Sequence, residues 1–151
     1  MKKFVFSLQP VLNYKLTIEK QQKADLKKAQ LALQELRAQE QRLLDAYAEN
    51  ERSLERALRE NLNVATALSE HDAYFRFLRD ALKEIRARIE RAEQVVAEHQ
   101  TRLIRTMREI KTYNKLRTEQ YIEYQKEVQS EEEKEIGDLV SFNAVSEDIY
   151  S

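Results

Sequence analysis

The sequence predicts an all-α chain: an antiparallel two-helix coiled-coil hairpin with long helices. Three observations predict it. Its 151 residues include one Gly and one Pro, where average usage gives roughly ten and seven or eight, so the residues that make turns and bulges are nearly absent. The rest is 35% charged and 42% hydrophobic, rich in Leu, Ala, Glu, Gln, Lys and Arg, the mixture of long solvated helices. Apolar residues also recur with a heptad period over two long stretches.

Residues 1–9 (MKKFVFSLQ) read as an extended N-terminal arm. Met1-Lys-Lys imitates the start of a signal peptide, but the apolar run after it stops within six residues. Pro10 opens the first helix, 10–61, because its missing N–H is harmless in a first turn. A heptad seam runs through Leu26, Ala29, Leu33, Leu36, Glu40, Leu43, Tyr47, Asn50, Leu54, Ala57, Asn61, Val64 and Leu68, and ten of these thirteen are apolar. Asn61, Asn63 and Thr66 bring turn and cap chemistry to a reversal at 62–66. The second helix, 67–136, carries its seam on Phe75, Leu78, Leu82, Ile85, Ile89, Ala92, Val96, His99, Leu103, Thr106, Ile110 and Tyr113. Gly137 reads as a helix stop, since it accepts a left-handed backbone cheaply. Residues 137–151 follow as an acidic, flexible tail.

A net charge of -1 hides segregation. Residues 1–30 carry seven Lys and two acids, and 102–118 carry six bases and one acid, so each is +5. Residues 131–151 carry seven acids and one Lys, or -6. Folding at 63–64 sets Arg102 opposite Asp25 and Arg117 opposite Pro10, so both basic segments fall at the end holding the termini. One end of the hairpin is therefore expected to be a basic surface. Two helices alone cannot build a thick core, so association with a partner is expected. The basic end would suit an acidic protein groove, an anionic membrane or nucleic acid, or be balanced by the acidic tail. A pI of 6.2 argues against nucleic acid.

The glycine shortage excludes P-loop, dinucleotide-binding, nucleophile-elbow and EF-hand motifs, each of which needs Gly at fixed places. The absence of Cys excludes disulfides and thiolate zinc sites. Two histidines cannot supply a three-histidine zinc site. His99, inside an apolar seam, reads as a register-setting or partly solvated polar residue, and His71 as a surface residue beside the turn. Glu131, Glu132 and Glu133 form a run and not a converging acid–base pair. No enzyme activity, metal or cofactor is expected. No stretch approaches 18 consecutive apolar residues, so no membrane span is expected, and the chain reads as cytoplasmic.

The segment Asp72-Ala-Tyr-Phe-Arg-Phe-Leu78 sets three aromatics within four residues. One partner helix cannot cover all three, because successive helical residues point about 100° apart. With Phe75 and Leu78 in the seam, Tyr74 and Phe77 border solvent, either as a docking patch or wrapped under the turn.

In these segments the chain resembles the FliJ family, the coiled-coil component of the flagellar type III export apparatus. Phe4-Val-Phe6-Ser-Leu8-Gln9-Pro-Val11-Leu12-Asn-Tyr14-Lys15 is similar to its opening F-x-F-x-L-Q-x-V-L signature. Tyr74-Phe-Arg-Phe-Leu78-Arg-Asp-Ala81-Leu82 is similar to its aromatic central segment. Lys111-Thr-Tyr113-Asn-Lys115-Leu116 followed by Glu133-Lys134-Glu-Ile136-Gly-Asp138 resembles its C-terminal pattern, with a departure at 137–139, where Gly-Asp-Leu stands. The resemblance implies a hairpin similar to the central stalk of rotary ATPases. It implies three partners: the hexameric flagellar export ATPase, the cytoplasmic domain of the export gate membrane protein, and export chaperones. It implies peripheral association with the inner face of the cell membrane at the flagellar base. By position, Tyr74, Leu78, Ala81 and Ile85 match the gate-contacting face, which favours docking over an end-cap. Phe4, Phe6, Leu8, Leu12, Tyr113 and Leu116 fall at the end that would enter the ATPase ring. The competing readings are a self-assembling structural coiled-coil scaffold and the equivalent stalk of an injectisome.

Overall fold

A computed structural model describes residues 2–60 and 63–150. Two helices account for nearly all of them: α1, Gln9–Arg59, and α2, Val64–Tyr150, and no strand occurs among the described residues. The fold is all-α, with the two long helices packed side by side. It divides into two compact units, one made of Lys20–Ile104 and the other of the chain up to Glu19 together with the chain from Arg105 onward.

In the Lys20–Ile104 unit the helices run antiparallel. Contacts join Asn50 to His71, Tyr47 to Phe75, Glu40 to Arg86 and Arg37 to Glu93, so numbers fall on α1 as they rise on α2. Leu33, Ile89 and Val96 form a buried cluster flanked by Leu26, Ala29, Leu36 and Ala92. The heptad reading holds along both helices: every seam position from Leu26 to Ala57 and from Phe75 to Tyr113 is buried or half-buried. Between the seams and solvent lie short-range pairs such as Arg76–Asp72 and Arg88–Glu84, four residues apart, each worth about 0.3–0.5 kcal/mol to a helix.

Around the turn the structure differs from the sequence reading. α1 ends at Arg59 and α2 begins at Val64, earlier than 67; Asn61 lies outside the described residues. Asn63 is the N-cap of α2. Its Oδ1 accepts the Thr66 N–H at 3.3 Å, and its carbonyl accepts the Ala67 N–H at 3.0 Å. Such a cap is worth about 1 kcal/mol. Val64 and Leu68 are exposed, while Ala67 is buried and His71 half-buried. The first helix's heptad count, carried forward across the turn to Val64 and Leu68, misplaces the seam, because the break between Arg59 and Val64 resets the helical phase.

The expected stop at Gly137 is not found, since α2 continues through it to Tyr150. A helix tolerates one exposed Gly at a cost of roughly 1 kcal/mol relative to Ala. Nothing lies within 4 Å of where a Cβ would stand, so no close packing demands glycine there. Residues 137–150 are therefore part of α2, past the expected end of the helix.

The unit containing both ends of the chain has a second core. Phe6, Leu12 and Ile110 are buried together, with Phe4, Leu8, Tyr113 and Leu116 packed around them. The Gln9 N–H donates to the Phe6 carbonyl and the Leu12 N–H to the Leu8 carbonyl, both at 3.0 Å. Those bonds convert the extended arm into helix, with Pro10 in the first turn as its fixed φ favours. Between residues 129 and 149 only Ser146 is even half-buried.

Candidate functional site

The arm places aromatic residues on α2 in the terminal unit. Phe4 meets Tyr121 edge-to-face with centroids 5.1 Å apart, and Tyr124 at 5.6 Å. The Tyr124 hydroxyl donates to the Lys2 carbonyl, tying down the start of the arm. Behind these contacts Phe6 and Leu12 are 4% and 2% exposed. A cleft of about 300 Å³ opens between Phe4, Arg117, Thr118 and Tyr121, and Val5 beside it points outward. Aromatic walls beside a guanidinium can take an apolar side chain and an acidic group together.

Basic residues of both expected segments share this unit: Lys2, Lys3 and Lys15 from one, Arg105, Arg108, Lys111, Lys115 and Arg117 from the other. Lys15 Nζ is 2.6 Å from Glu109 Oε2, and that hydrogen bond raises the Lys15 ammonium above its ordinary pKa, against a smaller opposing effect of desolvation.

Of the residues expected to meet an ATPase ring, the structure brings all six together, but chiefly as a core. Phe6 and Leu12 are interior, so they hold the arm on α2 and present no surface. Phe4, Leu8, Tyr113 and Leu116 form the half-buried rim. Tyr121 and Tyr124 went unselected in the sequence, although they continue the Tyr113 and Leu116 stripe at helical spacing.

The second surface lies on α2 near the turn, in the Lys20–Ile104 unit. Tyr74 and Phe77 stack at 6.2 Å with rings 13° from parallel, and they are 43% and 63% exposed. Phe75 turns inward onto Tyr47 at 4.7 Å. The four residues expected to face an export gate divide. Leu78 is 1% exposed and Ile85 is buried, because 4-3-4 spacing also describes a coiled-coil seam and these two occupy it. Tyr74 and Ala81 remain at the surface or its edge. Ala81 and Ile85 line a groove of about 400 Å³ with Leu43 and Arg88.

Behind the aromatic pair sits a polar layer that the sequence reading missed. Asn50, buried, donates through Nδ2 to the His71 carbonyl at 3.1 Å. His71 Nδ1 lies 2.7 Å from the Ala67 carbonyl, which only accepts, so Nδ1 carries the proton. Nε2 lies 3.3 Å from the Ser53 hydroxyl. His71 is thus a packed residue and not a surface one. Close by, Arg56 and then Arg52 donate to Glu49 and hold its carboxyl below the ordinary glutamate pKa. His99 is half-buried in the seam. Among the described residues no group of three His, Cys, Asp or Glu is placed to hold a metal.

These two aromatic surfaces coincide with the segments that set the chain's resemblance. A family model described as flagellar FliJ protein matches residues 4–147. The chain belongs to the FliJ family. Membership makes it a component of the flagellar export apparatus, a family whose role is non-enzymatic. No curated protein and no solved structure matches the chain significantly. Among the described residues no helix is long and apolar enough to cross a membrane.

Proposed function

We propose that this FliJ-family chain is a stalk-like adaptor. It seats its terminal unit in the hexameric flagellar export ATPase and promotes ring assembly or hydrolysis. The carrying observation is the family match over 4–147 on a chain whose terminal unit combines an arm-clamped aromatic rim with exposed bases from Arg105 to Arg117. A basic, aromatic-rimmed helix pair suits an acidic channel, where complementarity steers entry and fixes register. The half-buried rim of Phe4, Leu8, Tyr113 and Leu116, with exposed Val5 and Tyr121, makes the contact, and Phe6 and Leu12 keep the arm in place.

The stacked Tyr74–Phe77 pair and Ala81 dock the cytoplasmic domain of the export gate. Exposed, preorganised aromatics are the residues that anchor protein interfaces. Export chaperones are the third partner class. The adaptor works on the cytoplasmic side, held at the membrane's inner face by the gate alone. To test the reading, the chain is mixed with its cognate flagellar ATPase and ring formation is followed by sedimentation and electron microscopy. The account expects more rings with the chain present; unchanged assembly and no co-sedimentation would overturn it.

A further inference from the structure

On the α2 stretch after Val128, Ile136, Leu139, Val140, Phe142, Val145 and Ile149 are each more than half exposed. Charge along the same helix is segregated. Residues 105–117 carry five bases and one acid, and residues 131–148 carry seven acids and one Lys. Both stretches lie on one uninterrupted helix, so within one chain they cannot meet.

A stripe of α2 turned away from the buried Ile110 line carries both charges and part of this apolar surface. It passes through Lys111, Lys115, Ile122, Glu133, Ile136 and Val140, all exposed, at steps of 4, 7, 11, 3 and 4 residues, each close to a whole number of helical turns. We infer that a second copy of this chain covers the stripe, pairing antiparallel about a two-fold axis at Ile122. A parallel pair would set the acidic stretch against its own image and the basic stretch against its own. The antiparallel pair lays acid on base at both ends at once. Glu133 then faces Lys111 of the second copy, Ile136 lies on the aliphatic stem of Arg108, and Ile122 meets its own image. The contact is self-complementary and closes as a dimer. It stands independently of the stalk reading, but it covers the Arg105–Arg117 stretch assigned to the ATPase, so the two associations exclude each other.

The test is sedimentation velocity of the full chain alone, as a concentration series at low and high salt. A monomer–dimer equilibrium is expected, weakened several-fold at high salt because its ion pairs are screened. Lys111→Glu and Glu133→Lys should each weaken the dimer roughly tenfold by setting like charges together, with helicity by circular dichroism unchanged. Mixed in equal amounts, the two variants complement each other across both symmetric contacts and re-form the dimer. A wild-type chain that stays monomeric throughout would overturn the inference. So would single variants that dimerise like wild type, or a mixture that fails to pair.

Discussion

Asn50 Nδ2 donates to the main-chain carbonyl of His71 at 3.1 Å, linking α1 to α2 about two turns from the point where the hairpin reverses. An apolar seam alone allows a helix to slide by a heptad at little cost. A buried side-chain amide that must find one carbonyl penalises every other register. Asn50→Ala is expected to cost about 1–2 kcal/mol of stability, read as a lower urea midpoint at unchanged slope.

Leu78 and Tyr74 lie four residues apart and are expected to behave oppositely. Leu78 is 1% exposed, and Leu78→Ala opens a cavity costing about 2–5 kcal/mol. Tyr74→Ala removes an exposed ring and should move stability by about 0.5 kcal/mol or less. On the docking reading Tyr74→Ala nonetheless weakens binding to the isolated export-gate domain, measured by titration calorimetry. Unchanged gate affinity in Tyr74→Ala would remove the aromatic pair from the interface.

The N-terminal arm is a local element, clamped by Phe4 and Phe6 and by the Tyr124 bond to Lys2. Phe6→Ala should release it without unfolding the rest, since local openings cost less than global ones. Hydrogen exchange checks this. Amides at the start of α1, including those of Gln9 and Leu12, should exchange at least tenfold faster, while those around Leu33 and Ile89 keep their protection.

Two surface groups set a modest pH dependence. The folded pKa of Glu49 lies below 4.5, so its stabilising contribution is present above that value and fades as pH falls through the depressed one. The folded pKa of Lys15 lies above 10.5, so its contribution is whole below that value and fades as pH rises through the raised one. Carbon-detected titration should place the Glu49 midpoint below 4.5, and Arg56→Ala should move it back upward. Neither group changes charge near neutrality, so stability should be flat there as far as these two decide it.

The seams were legible because a heptad period needs only apolar residues at regular steps, and few breakers interrupt it between Pro10 and Gly137. What failed was local. Glycine permits a helix stop without compelling one, so Gly137 carries no boundary, and α2 runs on to Tyr150. Spacing of four, three and four marks a face without saying whether water or a helix covers it; Leu78 and Ile85 stood both in the heptad seam and on the face matched to the export gate, and they are core. The His71 layer was hidden for a different reason. Its bonds to Asn50, Ser53 and Ala67 depend on where the turn falls, and the cap at Asn63 shifts that point from the heptad count.

The stalk assignment rests most directly on hydrolysis by the cognate flagellar export ATPase, measured with increasing amounts of this chain. The account predicts a saturable rise in rate, lost when Arg117→Glu and Lys115→Glu are combined in a chain that keeps its helicity. A rate indifferent to the wild-type chain at saturating concentration would contradict it.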